Sequence, residues 1–166
     1  MAHRVAAEEA GGRPRETLRL PRRRSGQPVT APFTRRVEIA TDFLNSIGSL
    51  DFEEVGRHLA DDAIMALPFL DDLPALHGKS AIVDQLRNTI PHLFRRMDFT
   101  FDQWYNIRES DAVIAEYHSE AIMLASDNAY RNSYITVFRF DGDRISLYRE
   151  YLNPAKMTDL ISSPDI

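Results

Sequence analysis

Cysteine is absent from the 166 residues, which excludes disulfides, thiolate metal sites, iron–sulfur clusters and a cysteine nucleophile. No apolar run approaches the roughly 18 residues that a membrane-spanning helix needs, so no membrane partner is expected. The continuous apolar segment of about 7–15 residues that an export signal requires is also missing, and the cytoplasm is the expected compartment. A basic excess is missing too. The net charge of −5 and pI of about 5.5 argue against a general nucleic-acid binder. What is present is 43% hydrophobic residues, enough for one globular domain with its own core. The length is too short for two ordinary domains.

The charge is uneven. Residues 1–33 hold seven Arg and three Glu, a net of +4 that leaves −9 on residues 34–166. They also hold four of the nine Pro and three of the seven Gly, with no apolar periodicity. Such a segment cannot bury enough surface to offset its ordering entropy, so residues 1–33 are expected to be a disordered tail. Arg22-Arg23-Arg24 is its one candidate contact for nucleic acid or anionic lipid; a solvated extension explains it as well.

From Phe33 on, the pattern becomes periodic. Val37, Ala40, Phe43, Leu44 and Ile47 share a helical face, with Gly48 as a stop. Phe52, Val55, His58 and Leu59 predict a second helix, capped by Asp51 with Glu53 and Glu54 in its first turn. Ala63 to Leu67 reads as a short strand, and Leu70 to Leu76 as a loop that could form a lid with Phe69. Lys79 to Leu93 predicts a third helix, with Pro91 expected to end or kink it. Strands follow around Phe99–Ile107, Ala112–Leu124, Tyr130–Phe140 and Ile145–Leu152. Ser126-Asp127-Asn128 breaks the second from the third, Asp141-Gly142 marks a hairpin, and Pro154 ends the last. Helices first and a strand meander afterwards predict an α+β fold. A curved antiparallel sheet with three N-terminal helices would form a cone around a cavity.

The segment Tyr130 to Pro154 carries Tyr130-x-Asn132, an aromatic strand, Asp141-Gly142, Ile145 and Arg149-Glu150-Tyr151-x-Asn153-Pro154. This pattern resembles the last hairpin of the SnoaL-like branch of the nuclear transport factor 2-like superfamily. Leu76-His77-Gly78-Lys79 resembles that family's entry to its third helix, and Trp104-Tyr105-Asn106-Ile107 resembles its phenazine-biosynthesis A/B members. The resemblance covers residues 34–160. It implies a cone fold, a small-molecule ligand, a homodimer and chemistry that needs no cofactor and no metal. Within the phenazine pattern it implies Glu150 as the catalytic carboxylate and Arg57, in Arg57-His58-Leu59, as its companion. Gln85 and Thr89 fall where that pattern has a His and a Ser. Gln85 cannot carry a proton as His does, which argues against imine condensation. Limonene-epoxide hydrolases of the superfamily have an Arg-x-Asp pair where this chain has Tyr117-His118-Ser119, so an epoxide hydrolase ranks lower.

Weighed as residues, Glu150 suits general acid/base chemistry if it faces an apolar cavity, because desolvation raises a carboxyl pKa. It is an ordinary surface partner for Arg149 or Arg139 if it faces outward. A register change or bulge in the last hairpin decides which. His118 alternates with Glu116 and Glu120, either as a poised base or as part of a polar outer face. Arg57 binds a carboxylate or pairs with Glu53 and Glu54 on its own helix. Of the strand aromatics, Trp104, Tyr134 and Tyr148 are candidate cavity walls, the tyrosines with a hydroxyl to offer. Two functional expectations follow. The first is a cofactor-free isomerase, cyclase or dehydratase acting on a small, mostly apolar carbonyl compound, with Glu150 moving the proton. The second is a non-catalytic binding or dimerisation module of the same fold.

Overall fold

The computed structural model describes residues 32–125 and 128–161. The expected tail lies almost wholly outside these residues, and its last member, Phe33, opens the first helix. That helix, α1 (Phe33–Gly48), buries Ile39, Ala40, Phe43, Leu44 and Ile47 as the three-and-four spacing requires. Gly48 is needed for closeness rather than for backbone freedom. The left-handed turn that ends the helix falls on Leu50, at φ 63°. In α2 (Phe52–His58), Asp51 caps the first turn by accepting from the Glu54 N–H at 3.1 Å. Leu59, expected on this helix, instead begins β1 (Leu59–Ala66). A two-residue strand, β2 (Leu76–His77), precedes α3 (Lys79–Leu93). Pro91 neither stops α3 nor shortens it by more than its last turn, since the helix runs to Leu93.

Four long strands follow: β3 (Phe94–Asn106), β4 (Ala112–Met123), β5 (Ala129–Asp141) and β6 (Arg144–Leu152). They form a meander, and β6 is flanked on its far side by β1, giving the sheet order β2-β1-β6-β5-β4-β3. The α+β class holds, as a curved sheet of six strands with four helices. Two details differ from the sequence expectation. The sheet is mixed, because β1 runs parallel to β6. The helices are not a continuous N-terminal run, because β1 and β2 separate α2 from α3. Hydrophobic spacing identifies strands but not the direction of a neighbour brought in by a crossover. A fourth helix, α4 (Pro154–Ile161), was not expected; Pro154 starts it, a position where a missing N–H costs nothing. Among the described residues, no helix is long and apolar enough to cross a membrane.

The inner sheet face is continuous. Val113, Ala115, Tyr117, Ser119 and Ala121 of β4 alternate inward, as do Tyr130, Asn132, Tyr134, Thr136, Phe138 and Phe140 of β5. On β6 the alternation breaks. Phe140 pairs with Ile145 and Arg139 with Leu147, so Ser146 is an extra residue opposite a single step of β5. Beyond this bulge the buried positions are Tyr148, Glu150 and Leu152, facing Phe138, Thr136 and Tyr134. Further register shifts lie in β1–β6 and β3–β4. Bulges bend and twist strands, which is how the sheet curls around α1 and α3. Phe43 of α1 sits edge-on to Phe138 and Tyr148, with ring centroids 6.2 and 5.2 Å away, tying the helix layer to the centre of the sheet.

The tightest helix–sheet approach is at Gly48. A methyl carbon there would lie 2.2 Å from the Met97 carbonyl oxygen on β3. Backbone cannot swing away as a side-chain end can. Gly48→Ala is therefore expected to lower stability by about 1–3 kcal/mol, the usual cost of overpacking. Urea denaturation checks this; an unchanged midpoint would show that α1 can lift off β3 freely.

Candidate functional site

The concave side of the sheet, closed over by α1, α3, α4 and the segment between β1 and β2, encloses a cavity of about 290 Å³. Most of its wall is apolar. Ile47, Met65, Leu86, Met97, Phe99 and Leu152 line its interior. Leu70, Leu73 and Pro74 come from the loop that the sequence marked as a lid. That loop is braced from outside by Phe69, which packs edge-on against Tyr151 at 5.2 Å. Polar groups are few: Gln85 and Thr89 from α3, Tyr130 and Tyr134 from β5, and Tyr148 and Glu150 from β6.

Glu150 is the only carboxyl among the residues lining this cavity, and it is buried. The bulge at Ser146 turns it inward, opposite Thr136. Two phenols donate to the same carboxylate oxygen, Oε2. One is Tyr117, from the inner face of β4; the other is Tyr148, two residues earlier on β6, at 2.5 Å. Tyr117 has one proton to give, so Thr136 Oγ1, 2.9 Å away, is the donor to the Tyr117 oxygen. Neither tyrosine engages Oε1. Both rings are held flat by stacking, Tyr117 on Tyr134 at 4.9 Å and Tyr148 on Phe138 at 5.6 Å.

The electrostatics are a contest. Burial pushes the Glu150 carboxyl above the usual Glu range, and the hydrogen bonds from Tyr117 and Tyr148 pull it back without cancelling the rise. Burial, and then the carboxylate beside them, push the Tyr117 and Tyr148 phenols well up, so they remain donors. Tyr134 is also pushed up, by burial first and Glu150 second. Its hydroxyl lies 2.9 Å from Ser119 Oγ. Behind this group, Asn132 fixes the strand end: its side chain donates to the Tyr130 hydroxyl at 2.8 Å and accepts from the Asn153 N–H at 3.2 Å. The Tyr130-x-Asn132 and Asn153-Pro154 parts of the sequence motif thus meet across β5 and β6.

The sequence candidates divide. Glu150, Tyr134, Tyr148, Gln85 and Thr89 all line the cavity, with Gln85 donating to Thr89 at 3.0 Å toward the exposed side of α3. Trp104 does not line it; it stacks on Phe101 at 5.5 Å and packs against the core. His118 stands on the outer sheet face, half exposed, with Nδ1 2.9 Å from Asp102. Arg57 is exposed and pairs with Glu53 and Glu54 at 2.6 and 2.7 Å, beside a separate polar cleft between α2 and α3. Helical spacing of three and four explains that pairing fully. Neither His118 nor Arg57 meets Glu150. Tyr117, Thr136 and Ser119 were not candidates, although the alternation that put His118 outward also put Tyr117 and Ser119 inward. Among the described residues, no group of three His, Asp or Glu side chains is arranged to hold a metal ion.

Comparison with known proteins agrees with this geometry. The SnoaL-like domain family matches residues 40–148. Protein YesE of Bacillus subtilis (strain 168), itself uncharacterized, is 30% identical over 124 residues, 74% of this chain and 84% of its own length. An uncharacterized PhzA/B-like protein of Pseudomonas aeruginosa is 32% identical over 79 residues, 48% of this chain and 55% of its own. The crystal structure of a Bacillus subtilis protein provisionally described as an isomerase superposes with a TM-score of 0.72 at 26% identity, over 78% of this chain and 94% of that one. With the cone, its cavity and the terminal hairpin motif in place, the chain belongs to the SnoaL-like family of the nuclear transport factor 2-like superfamily.

Proposed function

We propose that this protein is an acid/base enzyme of the isomerase, cyclase or dehydratase type, acting on a small, mostly apolar carbonyl compound. Glu150 moves the proton. The observation that supports this most is the position of Glu150: a single carboxyl in an apolar cavity, with Oε2 held by two tyrosines. A carboxyl whose pKa is raised by burial is a stronger base than a solvated one, which suits it to take and return a proton. Oε1 takes the proton from an acidic C–H next to the carbonyl. The Tyr134 hydroxyl, backed by Ser119, donates to the developing oxyanion. Gln85 and Thr89 bind the far end of the substrate at the α3 wall. The described resemblance of a Bacillus subtilis neighbour to an isomerase is consistent with this class. An epoxide hydrolase fits less well, because Tyr117 and Ser119 stand where that activity uses an Arg and an Asp. A second copy of the chain is expected to pair on the outer sheet face, where Ile122 and Ile135 are exposed.

Proton abstraction is measurable without the natural substrate. Small cyclic ketones such as cyclohexanone, incubated with the protein in heavy water, should exchange their α-protons faster than in buffer, as followed by NMR. Glu150→Gln should slow this by about 10²–10⁴-fold, the usual contribution of general acid/base catalysis. Exchange that survives the substitution unchanged would leave the non-catalytic binding module as the better reading.

Stability gives an independent check on the Glu150 environment. The folded state holds the Glu150 proton to higher pH than the unfolded state, so it binds more protons above the unfolded value of about 4.3. Stability from this group therefore falls as pH rises through the folded pKa. Gln cannot titrate. Glu150→Gln is expected to match the wild type near pH 4 and to become progressively more stable than it toward pH 8. A difference that stays constant with pH in urea denaturation would mean that the carboxyl is solvated after all.

A further inference from the structure

We propose that the cavity selects a ligand with a basic nitrogen, a small amine-bearing molecule, and rejects anions. The selection rests on the charge inventory of the wall. Among the residues that line the cavity there is one carboxyl and no Lys, Arg or His. Phosphate, thioester-linked nucleotide and carboxylate groups would meet no cation there. An ammonium meets the opposite situation. Glu150 Oε1 is engaged by neither tyrosine, so it is the acceptor that an N–H would reach.

The aromatic lining favours the same charge. Phe94, Phe99, Tyr130, Tyr134 and Tyr148 all contribute to the wall. Tyr134 stacks on Tyr117 and meets Phe99 edge-on, and Tyr148 stacks on Phe138 and meets Phe43 edge-on, so both rings are held in place where they border the cavity. Aromatic faces attract cations, most where water is excluded. Anions gain nothing from them.

Proton balance is simple. A neutral amine takes the proton of the Glu150 carboxyl: the O–H bond breaks, the N–H bond forms, and an ammonium–carboxylate pair remains. An amine that enters already protonated meets the carboxylate after its proton has left to solvent. Either route leaves Glu150 ionised and paired with the ammonium. The inference deepens the reading above, because that carboxylate is the base the proposed reaction needs, so its mechanistic part rests on that reading. Its binding part does not.

The test uses three probes of one shape: benzylamine, benzyl alcohol and benzoate, titrated calorimetrically into the full-length protein at neutral pH. Benzylamine is expected to bind at least tenfold more tightly than benzyl alcohol, with benzoate weakest. In Glu150→Gln the affinity for benzylamine should fall to that for benzyl alcohol. Equal binding of amine and alcohol, or tighter binding of benzoate, by the wild type overturns the proposal without any variant having to fold. So does an amine preference that survives in Glu150→Gln. A protein that prefers benzylamine yet shows no ketone exchange keeps this inference and loses the catalytic one.

Discussion

One extra residue on the last strand decides what kind of site this protein has. Strand side chains alternate with a period of two, so inserting Ser146 moves every later side chain of β6 to the other face. Were Ser146 paired in regular alternation instead of bulged, Ile145 would be followed inward by Leu147, Arg149 and Tyr151. With the bulge, Tyr148, Glu150 and Leu152 face the cavity. The same step places Tyr148 against Phe138 and Glu150 opposite Thr136, bringing the carboxyl between the phenols of β4 and β6. Both the polar network and the packing of α1 through Phe43 depend on that register.

Burying a carboxyl is costly unless it is neutral or well paired. Here the partners are uncharged hydroxyl groups. Two phenols, one of them backed by Thr136, lower the cost of the ionised form but do not remove it. The folded state is therefore least comfortable with Glu150 when it is charged, which is when it can act as a base. That is the usual opposition between stability and activity at a functional group. It also explains why the phenols are rigid. A donor that could rotate away would leave the carboxylate unpaired, and the stacked rings of Tyr117 and Tyr148 prevent this.

Much of this was legible in the residues themselves. The three-and-four spacing of Ile39 to Ile47 is a helix face wherever it occurs, and Asp141-Gly142 fixes a hairpin by its backbone chemistry. The motif around Glu150 pointed to the cavity. The face of β6 was not legible, because a bulge leaves no mark in hydrophobic spacing when Ile145, Leu147 and Tyr148 are all buried together. The parallel β1–β6 pair was hidden for a related reason: a strand's own pattern does not say which neighbour it receives. His118 and Arg57 attracted notice as chemically capable side chains. Each is fully accounted for by a local partner, Asp102 across the strands and Glu53 with Glu54 along the helix. Tyr117 was overlooked for the opposite reason. A tyrosine on an apolar strand face looks like packing until its hydroxyl finds a carboxylate.

The exchange at the Tyr117-His118-Ser119 position carries the argument furthest. A guanidinium in place of Tyr117 would hold Glu150 ionised at all times, because an adjacent fixed cation favours the carboxylate strongly. A phenol is a donor without charge. It steadies the carboxylate once formed but leaves the choice of protonation state open. Ser119, in place of a second carboxylate, contributes a hydroxyl to Tyr134 rather than competing for the proton. The fold supplies the cavity, and its β4 wall places uncharged hydroxyl groups, those of Tyr117 and Ser119, beside the carboxyl and Tyr134.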